Sequence, residues 1–427
     1  MTAVSQASPR SATRIRTDVE ALSIARELAA EFAVGAVERD RERRLPHPEI
    51  DRLSESGLLA LTVPARFGGL DVRPSVLAEV VSILAAADAS IAQIPHSHFV
   101  YLNLVRLSAG QALQERIFTD VLAGGRVANA QSERGGKTIA DISTRLSPAG
   151  EDSRTRFVLD GEKFYCTGSL FADTLAVLAK LDVAVRDLTP GEYVAFVPAN
   201  ADGVEIVDDW DAVGQRTTGS GTVRFTGVGV GVEDLVTRAP ATSAPTGYGA
   251  FAQLLHVAID VGIARGALRE AAEFVRTKSR PWFEAEVDRA VDDPFVVQRF
   301  GELEVDVATA EATLAAAGRR VDTAVGAASG PAEVAGTSAA VAEASIAVAE
   351  ASIAVATAKA VADRVATPVA SALFEVSGTR SAAAGSGLDR YWRDARTHTL
   401  HDPVRWKYQH IGRWVLRGEE PPLHGVI

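Results

Sequence analysis

From Asp18 to about Arg39, the apolar positions Leu22, Ala25, Leu28, Ala29 and Phe32 recur every three or four residues, while Glu20, Arg26, Glu27 and Glu31 fall between them. That spacing predicts an amphipathic helix with Asp18 at its N-cap. A shorter helix over Glu49–Ser56 should end at Gly57, and Phe67-Gly68-Gly69 marks the next turn. Leu77, Val80, Val81 and Leu84 line one face of a further helix from Ser75 to Ala87.

Near residue 125 the pattern switches to short β-rich runs, and near 245 it switches back. Arg156-Phe157-Val158-Leu159 and Lys163-Phe164-Tyr165 flank Asp160-Gly161, which predicts a hairpin. Further runs at Leu175–Leu178, Tyr193–Val197, Val204–Val207 and Thr222–Phe225 predict an antiparallel barrel or sandwich, with 227-GVGVGV-232 as turn sequence. After a linker at 239–247, the stretch 253-QLLHVAIDVGIARGALREAAEFV-275 is apolar around most of its circumference. It predicts a buried helix, with Gly262 and Gly266 placed for the close approach of another backbone.

From Glu302 to Ala370 the chain is alanine-rich, broken by Gly326 to Pro331, and the seven residues Val341–Ala347 are repeated at 348–354. Seven residues are nearly two helical turns, so the duplication lengthens a helix and should keep the same face inward. The order α, β, α predicts one α+β unit: an N-terminal helical region (18–124), a central β-barrel (125–245) and a C-terminal helical region (246–427). Residues 1–17, with Arg10, Arg14 and Arg16 among Ser and Thr but no apolar stretch, are expected to form a disordered arm, not a signal peptide.

Composition narrows the functional classes. With 55 acidic against 44 basic residues the chain of 427 residues offers no basic field for nucleic acid. A single cysteine, Cys166, excludes intramolecular disulfides and suits a reducing cytoplasm. No run of 18 uncharged apolar residues suggests a membrane span.

No complete GxGxxG fingerprint, no P-loop lysine in 214-GQRTTGSG-221 and no GxSxG elbow is present, which disfavours nicotinamide, nucleoside-triphosphate and serine-hydrolase chemistry. Four of the eight histidines fall in two motifs, 93-QIPHSHF-99 and 396-RTHTLHDP-403. His398, His401 and Asp402 have ligand-like spacing, but no third cluster completes a metal site. The histidines are either loop caps or imidazoles that move protons in an organic reaction.

The motifs 43-RRLP-46, 64-PARFGGL-70, 129-NAQSERG-135, 164-FYCTG-168, 208-DDWDAVGQRTTGSGTV-223 and 390-RYWRDARTHTLHDPVRWKY-408 resemble the acyl-CoA dehydrogenase superfamily, in its flavin-dependent monooxygenase branch. The resemblance runs from about residue 18 to the C-terminus. It implies an N-terminal helical domain, a central antiparallel β-barrel and a C-terminal four-helix bundle, with flavin between barrel and bundle. It also implies a homo-oligomer, a dimer or tetramer.

On that resemblance Asn129, Ser132 and Thr167 would meet the flavin ring, and Arg276 and Arg280 would hold its phosphate, unless they simply end a solvated helix. His398 is also placed with the cofactor, and His96 and Trp210 with the substrate pocket, Trp210 alternatively being core. Where the dehydrogenases carry a glutamate base followed by Gly and Thr, this chain reads His401-Asp402-Pro403-Val404. A shorter carboxylate on a proline-stiffened turn disfavours α,β-dehydrogenation.

The implied activity is a monooxygenase that takes reduced FMN from a separate flavin reductase and, with O2, oxygenates a small organosulfur compound through a flavin hydroperoxide, for sulfur acquisition. His98 and His401 would supply protons, Asn129 and Thr167 would position the oxygen, and Asp402 completes the catalytic set. The alternatives are an FAD-dependent acyl-CoA dehydrogenase and a non-catalytic oligomeric paralogue.

Overall fold

The computed structural model describes residues 12–138, 140–150, 155–328 and 338–424. Seven helices come first: α1 (Asp18–Ala33), α2 (Ala36–Glu42), α3 (His47–Glu55), α4 (Pro74–Ala85), α5 (Ala89–Gln93), α6 (His96–Ser108) and α7 (Gln111–Leu122). The N-cap of α1 is Thr17, not Asp18: the Thr17 hydroxyl accepts the Glu20 amide at 3.1 Å, which leaves Asp18 in the first turn beside the positive end of the dipole. The apolar stripe predicted through Arg39 is interrupted at Gly35, whose left-handed backbone (φ 77°) separates α1 from α2.

The expected disordered arm is ordered where it is described. The Thr13 amide bonds to Glu55 O at 2.8 Å and Ile15 is buried. Residues 1–11 lie outside the described residues.

Eight strands follow: β1 (Val127–Ala130), β2 (Arg145–Pro148), β3 (Arg156–Lys163), β4 (Thr174–Leu181), β5 (Gly191–Pro198), β6 (Val204–Val207), β7 (Thr222–Gly231) and β8 (Leu235–Thr237). They form one sheet in the order β6-β7-β3-β2-β4-β5-β8, with β1 also on β4. The sheet is mixed, since β1 and β2 both run parallel to β4.

The hairpin expected at Asp160-Gly161 is absent. Both residues lie inside β3, where the register against β7 shifts between Leu159 and Gly161. A side chain at Gly161 would meet Thr144 Oγ1 at 2.4 Å, and Asp160 accepts the Gly227 amide at 2.7 Å, so the dipeptide serves a bulge and a cross-strand contact. Likewise 227-GVGVGV-232 is mostly the end of strand β7, paired to β3, and not a turn.

The chain then returns to helix. Part of the 239–247 linker forms α8 (Ala239–Ser243); then come α9 (Tyr248–Thr277), α10 (Pro294–Ala328), α11 (Ser338–Ser377), α12 (Asp389–His398) and α13 (Val404–Arg417). The long helices α9, α10 and α11 pack on one another, α4 crosses from the N-terminal region onto α9 and α10, and α13 lies against α11. Of the helices of the C-terminal region three are long and two are short, with α12 packed on α9 and α11.

Gly262 and Gly266 do admit a backbone. A Cβ there would lie 2.4 Å from Ser82 O and 2.3 Å from Ala86 O, at the end of α4. The tandem repeat lies within α11, but its two copies differ. Ala344 and its equivalent Ala351 are both buried, but Val341 and Ile346 are 47% and 55% exposed, whereas Val348 is 2% exposed, so the first copy buries a narrower face.

By length and hydropathy alone α9 and α11 could cross a membrane, contrary to the expectation from the sequence. In α9, 94% of the apolar window is buried inside the protein. The apolarity of α11 is largely alanine, and its Lys359 side chain is fully buried in an ion pair.

Candidate active site

The buried helix α9 carries two polar residues four apart in an otherwise apolar stretch, His256 and Asp260, which therefore share one face. Three imidazoles stack there. His256 lies between His96 and His401, with ring centroids 3.8 Å from each.

Each ring has a further tie. His96, at the start of α6, donates from Nε2 to Ala252 O at 3.0 Å. His256 Nδ1 meets His398 Nε2 at 3.1 Å, and His398 Nδ1 donates to Asp260 Oδ1 at 2.6 Å. Lys359 of α11 holds the other oxygen of Asp260 at 2.6 Å.

Burial disfavours imidazolium at three of these rings: His96 is pushed down to about 3, and His256 and His398 also fall below the ordinary histidine value. For Asp260 burial opposes ionisation, but His398 and Lys359 outweigh it and hold the carboxyl below its ordinary range.

The HDP string divides its labour. His401 is 42% exposed, while Asp402 turns inward and is 6% exposed, its Oδ2 lying 2.6 Å from Lys407 Nζ. His401 Nδ1 is 3.7 Å from Asp402 Oδ1, which has no hydrogen-bond partner. Burial works against the Asp402 charge, but His401, Lys407 and Lys359 outweigh it and keep the group ionised. Pro403 caps α13 and fixes the turn that separates the two side chains.

The sheet contributes a neutral, hydroxyl-bearing edge. Asn129, in β1, accepts from Ser97 Oγ at 3.0 Å, and Ser97 adjoins His96, so the sheet edge is tied to the helix bearing the histidine. The Asn129 amide reaches Tyr165 O at 3.4 Å, and Thr167 shares a 2.8 Å hydrogen bond with Ser220. Ser132 is half-buried and bridges to Phe164 through its backbone.

Trp210 packs edge-on against Tyr165 and donates to Gln215 O at 2.9 Å, so it walls the sheet segment without touching the histidines. Beneath this edge Lys163 and Glu133 form a buried pair at 2.7 Å. Cys166 is buried, and burial pushes its thiol up to about 12, which makes it a packing residue.

Four of the expected site residues stand elsewhere: His398, expected with the cofactor, is buried behind His256 with both ring nitrogens committed, to His256 and Asp260. His98 is not with His401: its Nδ1 accepts the Val127 amide at 3.1 Å, so Nε2 carries the proton and donates to Leu59 O at 2.8 Å. With both nitrogens committed to backbone and burial pushing it down to about 4, it pins α6 to β1 and has no proton to move. Arg276 and Arg280 are exposed at the far end of α9, and Arg276 is about 30 Å along the helix from His256.

A cavity of about 1050 Å³ also lies elsewhere, between α1, α4, α9 and α10. Among the described residues, no group of three His, Cys, Asp or Glu side chains is arranged to hold a metal ion.

The motif reading missed His256, Asp260, Lys359, Lys407 and Ser97. A signal existed for two of them: an imidazole and a carboxylate at i and i+4 in a helix that otherwise buries every side chain from 248 to 264. Lys359 and Lys407 reach this point only through the packing of α11 and α13.

Helices, a curled sheet and helices again, with a neutral amide and hydroxyl edge tied to a stack of imidazole rings, match a flavin-dependent oxidoreductase of the acyl-CoA dehydrogenase fold. The residues at the edge suit a flavin: Asn129, Ser132 and Thr167 are short, uncharged and able to meet ring oxygen and nitrogen atoms.

The chain belongs to the acyl-CoA dehydrogenase family, matching its N-terminal domain over residues 20–125 and its C-terminal domain over 254–406. It is 31% identical to a dibenzothiophene monooxygenase of Rhodococcus erythropolis, over 96% of each chain. It is 32% identical to a probable FMNH2-dependent monooxygenase, SfnC, of Pseudomonas putida, over 94% of this chain and 96% of that one. The crystal structure of FMN-bound TdsC from Paenibacillus sp. A11-2 superposes with a TM-score of 0.85 at 33% identity, covering 95% of this chain and 100% of that one.

Proposed function

We propose that this chain is the oxygenase of a two-component system that takes reduced FMN from a separate flavin reductase and, with O2, oxygenates a small organosulfur compound for sulfur acquisition. One structural observation carries the choice between this and an acyl-CoA dehydrogenase. Asp402, the only carboxylate in the HDP loop, points inward onto Lys407, while His401 points outward. An acyl-CoA dehydrogenase needs a free carboxylate base at that place; an oxygenase needs a proton carrier.

Reduced FMN supplies two electrons and the activation of O2, so that one oxygen atom goes to sulfur and the other leaves as water. The protein's part is positional. Asn129, Ser132 and Thr167 would hold the ring of the flavin at the sheet edge, and Trp210 with Tyr165 closes one side. His401 exchanges protons at the open side, backed by His256 and by the charge of Asp402.

Arg276 and Arg280 lie too far along α9 to reach an FMN phosphate at the same chain's edge, so in this reading they serve a neighbouring copy. A homo-oligomer, a dimer or tetramer, also supplies the enclosure that oxygen chemistry needs, since His401 is open to solvent in the single chain. Trp406, Tyr408, Val415 and Leu416 on α13 are exposed large side chains next to that loop and suit such a contact. The reading places the protein in the cytoplasm, where a reductase and reduced flavin are at hand.

The test is isotopic. With a flavin reductase, NADH and FMN, the protein should place one atom from 18O2 on sulfur per turnover, using dibenzothiophene and a panel of alkyl sulfides, sulfones and sulfinates. Bleaching of bound flavin by an acyl-CoA without O2, or failure to bind FMN at all, overturns the assignment.

A further inference from the structure

The oxygenation reading uses His401, with His256 only as its backing, and gives no task to the buried groups beyond them. His256, His398, Asp260 and Lys359 form a continuous line of contacts of 3.1, 2.6 and 2.6 Å, leading from the histidine stack to the centre of the helical region. Four polar side chains with almost no solvent exposure are costly unless fully paired.

Their pairing fixes protons. The Asp260 carboxylate only accepts, so His398 carries its proton on Nδ1. In neutral His398 the bare Nε2 is an acceptor, so His256 must donate from Nδ1, which leaves His256 Nε2 unprotonated.

We infer that His256 is a proton-relay residue: held in the Nδ1–H form by the His398–Asp260 pair, it takes up a proton at Nε2 from the active site and passes its Nδ1 proton to His398. Only N–H bonds form and break. The charge comes to rest as a His398 imidazolium beside the Asp260 carboxylate, and the reverse transfer returns the proton through His256 Nε2 to the active site. Lys359 keeps Asp260 ionised and at the same time disfavours a long-lived imidazolium at His398, so the stored proton is readily given back.

Several other groups bear on this pair. His96 and His401 face His256 from α6 and the HDP loop, and on α11 Lys359 acts on His256 while Asp363 acts on Lys359 and Asp260. Asp402 and Lys407 are the nearest charges at the start of α13. This inference rests on the oxygenase reading for its purpose, but its geometry is independent of it.

The experiment has two arms. In flavin-free protein, 15N NMR of labelled histidine should show His256 and His398 both as neutral Nδ1–H tautomers near pH 7. An Nε2–H tautomer at His256 overturns the relay, whatever the reaction proves to be.

The second arm is His398→Gln, which can still accept from His256 but cannot take up a proton. With reduced FMN, O2 and dibenzothiophene it should slow single turnover roughly a hundredfold, the lower end of what a positioned acid–base group contributes, and flatten the pH profile, while FMN affinity stays unchanged. An unaltered pH profile and rate also overturn the relay. Absence of oxygenation in the wild type, with the tautomers as stated, overturns the proposed function and leaves the relay standing.

Discussion

Lys359 on α11 sets its ammonium 2.6 Å from Asp260 on α9, with neither side chain exposed to solvent. Removing one member leaves a lone charge in the core, which costs about 3–5 kcal/mol, whereas neutralising both costs far less. Lys359→Met should therefore lower the denaturant midpoint sharply, and Asp260→Asn added to it should recover most of the loss. Equal destabilisation by the single and double variants in urea melts would show that the pair does not act as a unit.

His98→Ala should impair stability more than chemistry. The change orphans Leu59 O and the Val127 amide in a buried place, at about 1–3 kcal/mol each. Chemical denaturation should show this loss, and FMN affinity measured well below the melting temperature should stay near that of the wild type. His401→Ala is expected to do the reverse, with a rate fall of at least about a hundredfold and a normal melt.

Asp394 on α12 accepts the Gln215 amide at 2.6 Å, fastening the 208–223 loop to the C-terminal motif. Burial pushes its carboxyl up to about 7, so between roughly pH 4, the ordinary aspartate value, and pH 7 the folded chain binds this proton more tightly than the unfolded chain. The sign follows: this group favours folding at the acid end of that window, and the contribution is lost as pH rises through it. Asp394→Asn keeps an acceptor and removes the titration. Its melting temperature relative to the wild type should rise between pH 5 and pH 8, and a difference that does not change with pH contradicts the assignment.

One substitution should have opposite signs at two glycines. Gly262→Ala pushes a methyl to within 2.4 Å of Ser82 O and should destabilise by about 1–3 kcal/mol, because α4 and α9 must separate. Gly301→Ala on α10 meets nothing within 4 Å and should stabilise by up to about 1 kcal/mol through helix propensity. Thermal melts of the two variants decide it.

Much of the architecture could be read along the chain. The helical stripe at Leu77, Val80, Val81 and Leu84, the glycine pair of α9 and the switch of period near residues 125 and 245 all mark structure that is present. The failures have physical causes. Asp160-Gly161 has turn chemistry, but Thr144 and Gly227 satisfy it within a strand. The first copy of the Val341 repeat has the composition of a buried helix, yet its Val341 and Ile346 remain exposed.

The sequence by itself determined which side chains could do chemistry: two histidine motifs, a short carboxylate before a proline, and small polar residues in β-rich segments. It could not say which of them meet. Whether His96 or His98 joins His401 depends on a two-residue step at the start of α6, and only the seating of α6 on β1 and α9 turned His96 into the stack and His98 onto backbone. The partners of Asp260 and Asp402 come from α11, α12 and α13, 99 and 138 residues away for Asp260, because a buried charge is satisfied by whatever the packing brings within about 3 Å and not by its neighbours in sequence.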